Sequence, residues 1–291
     1  MKKIFYWSVF AVACVATMTA QTIDTTTMKA ARQPADTSWK HTGVASLSAT
    51  QVAFTDWAQG GENAISWTVR LEGKSEMTVP LWVWTNNYKF AYGQAKLGDK
   101  KLRKTDDKID LESIIAYRTG WPVNPYAAAT LKTQFTDGYT FDANDNRTTV
   151  SSFFDPAYLV QSAGFEYKPA PWIKTRLGAA LREVITSTYT QYADDPKTTA
   201  VEKTKTEGGL ESVTDIELKV DDNVLFTSHI ELFDPVNHLD RVVVRSDNML
   251  TAKVSKYVVV SLNLVLINDV QVTPRTQFKQ TLALGINYSI F

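Results

Sequence analysis

The sequence predicts an all-β chain that closes into a transmembrane, antiparallel, up-and-down β-barrel of about 12 strands. Three observations predict it. Apolar and polar residues alternate in segment after segment. The connectors between those segments are short and long in turn, as in barrels with tight turns on one side of a bilayer and larger loops on the other. Beyond the N-terminus, no stretch of roughly eighteen apolar residues exists, so helical spans are out, whereas a barrel strand needs an apolar residue only at every second position.

The N-terminus predicts the route. Lys2 and Lys3 form a basic start, Ile4 to Ala16 is apolar apart from Ser8, and Ala20 ends a stretch suited to signal peptidase. Residues 1–20 are therefore expected to be an export signal. Met18 stands three residues before the cut, where a smaller side chain is usual. An alternative takes Ala11-Val12-Ala13-Cys14 as a lipobox, although it lacks the aliphatic residue at its first position. Residues 21–42, polar and Thr-rich with Pro34, read as a flexible periplasmic tail. The barrel is expected over 43–291.

Strands are expected at 44–55, 64–73, 78–93, 109–121, 125–141, 156–168, 171–187, 207–221, 223–233, 241–253, 257–268 and 277–291. In the fourth, Ile109, Leu111, Ile115 and Tyr117 share one face and Asp110 and Glu112 the other. In the seventh, Ile173, Leu177 and Leu181 oppose Lys174 and Arg176. In the eleventh, Val258, Val260, Leu262, Leu264 and Leu266 oppose Ser261 and Asn263. The segments at 156–168 and 207–221 alternate less cleanly, which leaves ten or fourteen strands as alternatives.

A soluble sandwich shows similar alternation, so aromatic placement has to separate the two. Trp82, Trp84, Tyr88, Phe90 and Tyr92 share one face of the third strand. Ten residues at roughly 3.3 Å, tilted by about 40°, rise ~25 Å, the height of a barrel's apolar band. Trp82 and Tyr92 are thus expected in opposite aromatic girdles. Asn86 breaks the apolar face and calls for a bulge or a paired position.

Composition excludes whole classes. Cys14 is the only cysteine, so chemistry needing a mature thiolate or disulfide is excluded. Lys plus Arg and Asp plus Glu are both 31, leaving no bulk field for nucleic acid. No nucleophile elbow, phosphate loop or HExxH occurs. Asp142 to Asn146 starts like a calcium loop, but Arg147 replaces the glycine and Phe153 the final glutamate. No cofactor or metal is expected.

Several separated motifs resemble a Bacteroidota outer-membrane family catalogued only as a domain of unknown function. They are Trp57-x-x-Gly60-Gly61-x-Asn63, Tyr92-Gly93, Thr105-Asp106, Gln134-Phe135-x-x-Gly138-Tyr139, Phe154-Asp155-Pro156-Ala157-Tyr158 and Gly285-Ile286-Asn287-Tyr288. The resemblance implies an outer-membrane barrel and supplies no activity. From the residues themselves, Gly60-Gly61 reads as the reversal of the first hairpin rather than a ligand loop. The end of the chain looks like a barrel-assembly signal, with Leu282, Leu284, Ile286, Tyr288 and Ile290 alternating, although Phe291 falls out of their phase.

The face opposite the apolar one carries both signs. Its candidate lumen residues are Asp110, Glu112, Arg118, Lys132, Lys174, Arg176, Arg182, Asp215, Glu217, Lys219, His229, Glu231, Arg245 and Asp247. Mixed charge argues for ion pairs that brace the wall rather than for a selective ring. Only His41, His229 and His238 exist, assigned to tail, strand and loop. Ser228 lies on the other face from His229, so the two form no dyad, while Glu231 shares its face. His229 is expected to be a solvated lumen side chain.

The functional expectation is a small channel or plugged pore in the outer membrane of a Gram-negative bacterium, not an enzyme. The alternative is a structural or partner-binding barrel in an envelope assembly, with a barrel hydrolase as a distant third. Expected partners are outer-membrane lipid, the barrel-assembly machinery through the last strand, and envelope proteins or surface glycans. The Lys-rich stretch Lys96 to Lys108 is expected to be a solvated loop.

Overall fold

The computed structural model describes residues 38–53, 62–195, 197–237, 241–270 and 273–290. Twelve strands form one closed antiparallel barrel. They are β1 (Trp39–Val52), β2 (Ala64–Thr78), β3 (Trp82–Leu97), β4 (Arg103–Tyr117), β5 (Val123–Thr133), β8 (Ala157–Ala170), β9 (Ile173–Ile185), β10 (Thr204–Asp221), β11 (Val224–Pro235), β12 (Val243–Lys253), β13 (Val258–Asn268) and β14 (Gln277–Ser289). A separate hairpin, β6 (Gly138–Phe141) with β7 (Arg147–Ser151), stands within the β5–β8 connector. Each barrel strand pairs with its sequence neighbour in the barrel, and β1 returns to β14 through Val44–Ser289 to Ala49–Leu284. Closure leaves no barrel strand without two neighbours, which is what a sheet in hydrocarbon requires.

Turns at 79–81, 118–122, 171–172, 222–223 and 254–257 lie at one end of the barrel together with the start of β1 and the end of β14. The strand ends Val52 and Ala64, Leu97 and Arg103, Thr133 and Ala157, Ile185 and Thr204, Pro235 and Val243, and Asn268 and Gln277 lie at the other, where the longer connectors join them. The alternation read from the sequence therefore holds, with three differences. First, β5 stops at Thr133, and 138–141 pairs with β7 instead of prolonging β5. Second, the expected loop at 96–108 is mostly strand: only 98–102 connects, and β4 begins at Arg103. Third, β1 begins at Trp39, so it takes in the end of the expected tail and His41 with it. The export signal, most of the tail, Trp57, Gly60, Gly61, His238 and Phe291 lie outside the described residues.

One motif owes its residues to backbone geometry. The β3–β4 register shifts at Gly93/Gln94, where Gly93 pairs Asp106 and Gln94 pairs Lys104, which leaves Thr105 as an extra residue. That β-bulge bends the wall. A Cβ at Gly93 would stand 2.5 Å from Thr68 Oγ1, 2.9 Å from Trp67 O and 3.1 Å from Thr105 Oγ1. Glycine fits there because the Thr68 hydroxyl and the Trp67 carbonyl approach too closely for a side chain.

The outward face is apolar. Leu47, Val69, Leu71, Phe165, Leu177, Leu210, Leu282, Leu284 and Ile286 are all exposed large hydrophobics. Aromatic pairs belt both ends: Trp39–Trp84 at 5.2 Å and Trp82–Tyr117 at 4.9 Å near the short turns, Trp67–Tyr92 at 5.8 Å and Phe90–Phe135 at 6.1 Å near the long connectors. This is the surface of a barrel that crosses a lipid bilayer. Asn86 lies on it without a bulge, opposite Ser75 and Ser113. Those serines are themselves bonded, Ser75 Oγ to His41 Nδ1 at 2.7 Å and Ser113 Oγ to Trp84 Nε1 at 2.9 Å.

The core is the lumen. Ile114, Ala116 and Tyr126 pack together toward the short-turn end, and Ala180, Phe233 and Val243 toward the long-connector end. Between them runs the charged band.

Candidate functional site: a lumen crossed by ion pairs

Period-two geometry puts alternate residues of each strand inside. Asp110 and Glu112 point inward from β4, Lys132 from β5, Lys174, Arg176 and Arg182 from β9, Asp215 from β10, His229 and Glu231 from β11, and Arg245 and Asp247 from β12. Arg118 departs from its sequence assignment. It lies in the exposed turn after β4, where its backbone N–H donates to Leu81 O at 2.8 Å. The reason is that β4 ends at Tyr117, so the strand phase no longer applies to it. Glu217 and Lys219 keep the inward phase but stand exposed near the short-turn rim of β10.

The inward charges join across the barrel. Lys108 of β4 reaches Asp247 of β12 at 3.5 Å, and five strands separate β4 from β12 in either direction. Lys132 of β5 pairs with Glu231 of β11. Arg176 of β9 pairs with Glu112 of β4 at 2.5 Å, and Asn87 Nδ2 also donates to Glu112 at 2.7 Å. Asp247 further accepts from Asn263 Nδ2 at 2.7 Å. The Arg176 side chain is 2 % exposed, so the band is packed around the Arg176–Glu112 pair, while the Lys108–Asp247 pair keeps some contact with solvent. Desolvating such charges is costly, and only close pairing with hydrogen bonds repays it.

His229 differs from its expectation. Its Nδ1 lies 2.6 Å from Asp215 Oδ1 and its Nε2 2.9 Å from Glu231 Oε1, so it bridges two carboxylates. A ring with acceptors on both nitrogens is held as a donor at both, the arrangement of the imidazolium. Ser228 faces away and donates to Asn248 Oδ1 at 2.7 Å. Neither ring nitrogen meets a hydroxyl, so the geometry presents no nucleophile to this histidine.

Lys108, Asp269, Glu207 and Glu211 belong to the band and were not singled out from the sequence. The signal for two of them was available. Extending the even phase of β4 back from Asp110 reaches Lys108, and extending the odd phase of β13 past Ile267 reaches Asp269. Asp269 is buried just beyond β13 and accepts from Arg182 Nη2 at 2.9 Å. It holds Arg182 near the long connectors, where a partly open cleft of about 40 Å³ lies beside Tyr158, Arg182 and Arg245.

The long connectors are clamped by carboxylates. Buried Asp155 accepts the backbone N–H groups of Ser187, Thr188 and Tyr189 at 3.1, 2.7 and 3.3 Å, which ties the end of the β7–β8 segment to the β9–β10 connector. Gln134 donates to Ser152 O at 2.9 Å and accepts from Ser151 Oγ at 3.2 Å. Asp145 accepts from Arg103 at 2.5 Å and from the Lys101 backbone at 3.3 Å; the Arg103 hydrogen bond holds its carboxyl below the ordinary value. Asp142 is occupied by its own loop, accepting from Asn144 N, Asn146 N and Asn146 Nδ2. No cluster of metal-ligating side chains occurs among the described residues. Asn63, the described member of the first motif, accepts from Gly98 N at 2.7 Å through its carbonyl.

Residues 49–139 match the model of a family described as a protein of unknown function (DUF3078). That span runs from β1 to the start of the β6–β7 hairpin and holds the Gly93–Thr105 bulge. No curated protein matches the chain. Among solved structures, an outer-membrane channel from Pseudomonas putida F1 is similar at 12% identity and a TM-score of 0.41, with 86% of this chain and 94% of that one covered. The translocator domain of the autotransporter NalP from Neisseria meningitidis is similar at 10% identity and a TM-score of 0.37, covering 90% and 93%. The outer-membrane channel DcaP of Acinetobacter baumannii follows at 8% identity and 0.35, covering 87% and 97%.

Proposed function

We propose that this chain is an outer-membrane β-barrel working as a plugged pore, closed at rest by its own ion pairs. One observation carries the reading: the Lys108–Asp247 bridge joins opposite walls, and the pairs Lys132–Glu231 and Arg176–Glu112 fill the same band. A solute crossing the lumen has to part them. The apolar outer face and its two aromatic belts support residence in a bilayer, and the N-terminal pattern supports export to the outer membrane of a Gram-negative bacterium. The motifs of the sequence support kinship with the Bacteroidota family, and the alternating last strand supports insertion by the barrel-assembly machinery. Catalysis forms no part of this reading.

Planar-bilayer recording on the purified barrel tests it. The wild type is expected to be silent or to open rarely, and a variant lacking the Lys108–Asp247 bridge to conduct. Steady large conductance from the wild type overturns the plug. Silence from both, with an envelope protein co-purifying, favours the second reading, a partner-binding barrel. Exposed Phe135, Phe153 and Phe154 on the long-connector side favour that reading, since aromatics there offer a contact for an envelope protein or glycan.

A further inference from the structure

Glu231 stands directly across from Arg245 in the β11–β12 register, yet its carboxylate is drawn to Lys132 and His229. Arg245 is left without a hydrogen-bonded or ion-paired acceptor among the described residues. What it has is the Tyr158 ring, 5.3 Å from its guanidinium carbon. Arg182 approaches the same ring at 5.9 Å. Its Nη2 is spent on Asp269, while its Nη1 is buried with no hydrogen-bond partner, 4.0 Å from Glu207 Oε2. Glu207 is in turn reached by Lys205 at 3.2 Å. Two under-coordinated guanidinium groups therefore converge on one phenol ring, and both line a partly open cleft of about 40 Å³.

Arg182 Nη1 is kept from water without a hydrogen-bonded acceptor, which is costly, and Arg245 beside it is half-buried with its fork free; a planar oxyanion is the ligand that such a fork of N–H groups fits. At roughly 10–15 Å³ of such volume per water, the space has room for about three waters or a carboxylate-sized group. Glu211 and Glu231 also line it. Glu231 is already neutralised by Lys132 and His229, so Glu211 is the acid a guest has to avoid, which favours a small, singly charged anion held at the Arg182–Tyr158–Arg245 end. We propose that this cavity, just inside the long-connector mouth, is a binding site for a small carboxylate. The inference rests on the plugged-pore reading in one respect: it names the class of solute the pore admits first.

The test needs no conduction. The detergent-solubilised full chain is titrated with ¹³C-formate at constant ionic strength, and line broadening of the formate signal is followed by NMR. Saturable broadening is expected for the wild type. Arg245→Met, which removes a charge that no carboxylate holds, should keep the folded yield and weaken binding about tenfold to hundredfold. Arg245→Lys, with charge but no fork, should fall between them. Absence of saturable broadening, or equal binding by Arg245→Met, overturns the site. Displacement by chloride as readily as by unlabelled formate overturns the oxyanion preference. Bilayer silence of the variant lacking the Lys108–Asp247 bridge would count against the pore while leaving this binding result standing.

Discussion

Lys108 Nζ lies 3.5 Å from Asp247 Oδ2 and joins β4 to β12 across the width of the barrel. The two side chains are 36% and 32% exposed, so solvent screens the pair. The screened pair itself is worth roughly 1 kcal/mol or less. Replacing both by alanine is expected to cost more than that, because Lys108 also stands 3.5 Å from buried Asp110, which loses that ion pair whenever Lys108 is removed. Lys108→Ala alone should cost more than the double change, because Asp247 would keep its charge with only Asn263 to meet it. Urea unfolding of the three variants measures the order, and single-channel recording of the double variant should show openings absent from the wild type.

Orientation is read from the two barrel ends. Because Cys14 is the only cysteine, single substitutions in a Cys14-free chain report position cleanly. Asp99→Cys and Lys197→Cys, in long connectors, are expected to react with an impermeant maleimide on intact cells. Asp222→Cys, in the β10–β11 turn, should react only after the outer membrane is opened. The reverse labelling pattern would invert the topology.

The strands were legible because hydrocarbon outside and charge inside impose a period of two on both faces. That is why Ile173-Lys174-Thr175-Arg176-Leu177 announces β9 without any knowledge of its neighbours. The register was legible only where it is regular. Thr105 is invisible as a bulge until Gly93 is seen pressed against Trp67 O and Thr68 Oγ1. β5 and β6 were fused because Thr133 to Phe141 keeps alternating, while the chain leaves the wall to make Asp107 accept from Phe135 N and Thr136 N at 2.7 and 3.0 Å. Partners across the lumen were not legible at all. Lys108 and Asp247 are 139 residues apart, and no local pattern encodes which inward charge meets which.

The wall itself can be probed at two adjacent residues. Leu264 faces lipid near the middle of β13, and Leu264→Arg is expected to cost roughly 2–4 kcal/mol. From the sequence alone, arginine at the inward Asn263 would be the mild control. The structure corrects that: Asn263 is buried and donates to Asp247 Oδ1 at 2.7 Å and Asn248 O at 3.2 Å. Arginine there has to displace packed partners, so both variants should fold poorly, and Ser261→Arg nearer the short-turn rim should be the milder inward change. Folding yields in a bilayer assay rank the three.

The β6–β7 hairpin should loosen in acid. The Asp145 carboxyl is held below its ordinary 3.8 by the hydrogen bond from Arg103. A depressed carboxyl contributes its full stabilisation above the ordinary value and loses it as pH falls through the depressed one. Hydrogen exchange over residues 138–151 is therefore expected to be constant from neutral pH to about 4 and to accelerate below that, beyond the intrinsic chemical trend. Asp145→Asn should show faster exchange at neutral pH and a smaller acid step, the remainder coming from Asp142, whose carboxyl the Asn146 hydrogen bonds also hold below the ordinary value.

His229→Ala is the sharpest test of what the charged band does. A solvated lumen histidine could be truncated without consequence, but this ring bridges Asp215 and Glu231 at 2.6 and 2.9 Å. Removing it leaves two carboxylates without their shared donor, and only Glu231 retains Lys132. Taking one member from a buried charge cluster costs roughly 3–5 kcal/mol, and with the ring 20% exposed the low end, about 3 kcal/mol, is expected. His229→Gln, which can still donate to one carboxylate, should recover part of that. Chemistry gives a separate readout. If His229 served as a general base, the alanine change would lower ester hydrolysis by about 10² to 10⁴. With both nitrogens committed to carboxylates, no hydrolysis is expected from wild type or variant, while unfolding in urea distinguishes them. Wild-type hydrolysis that disappears in His229→Ala at unchanged stability would reverse both conclusions.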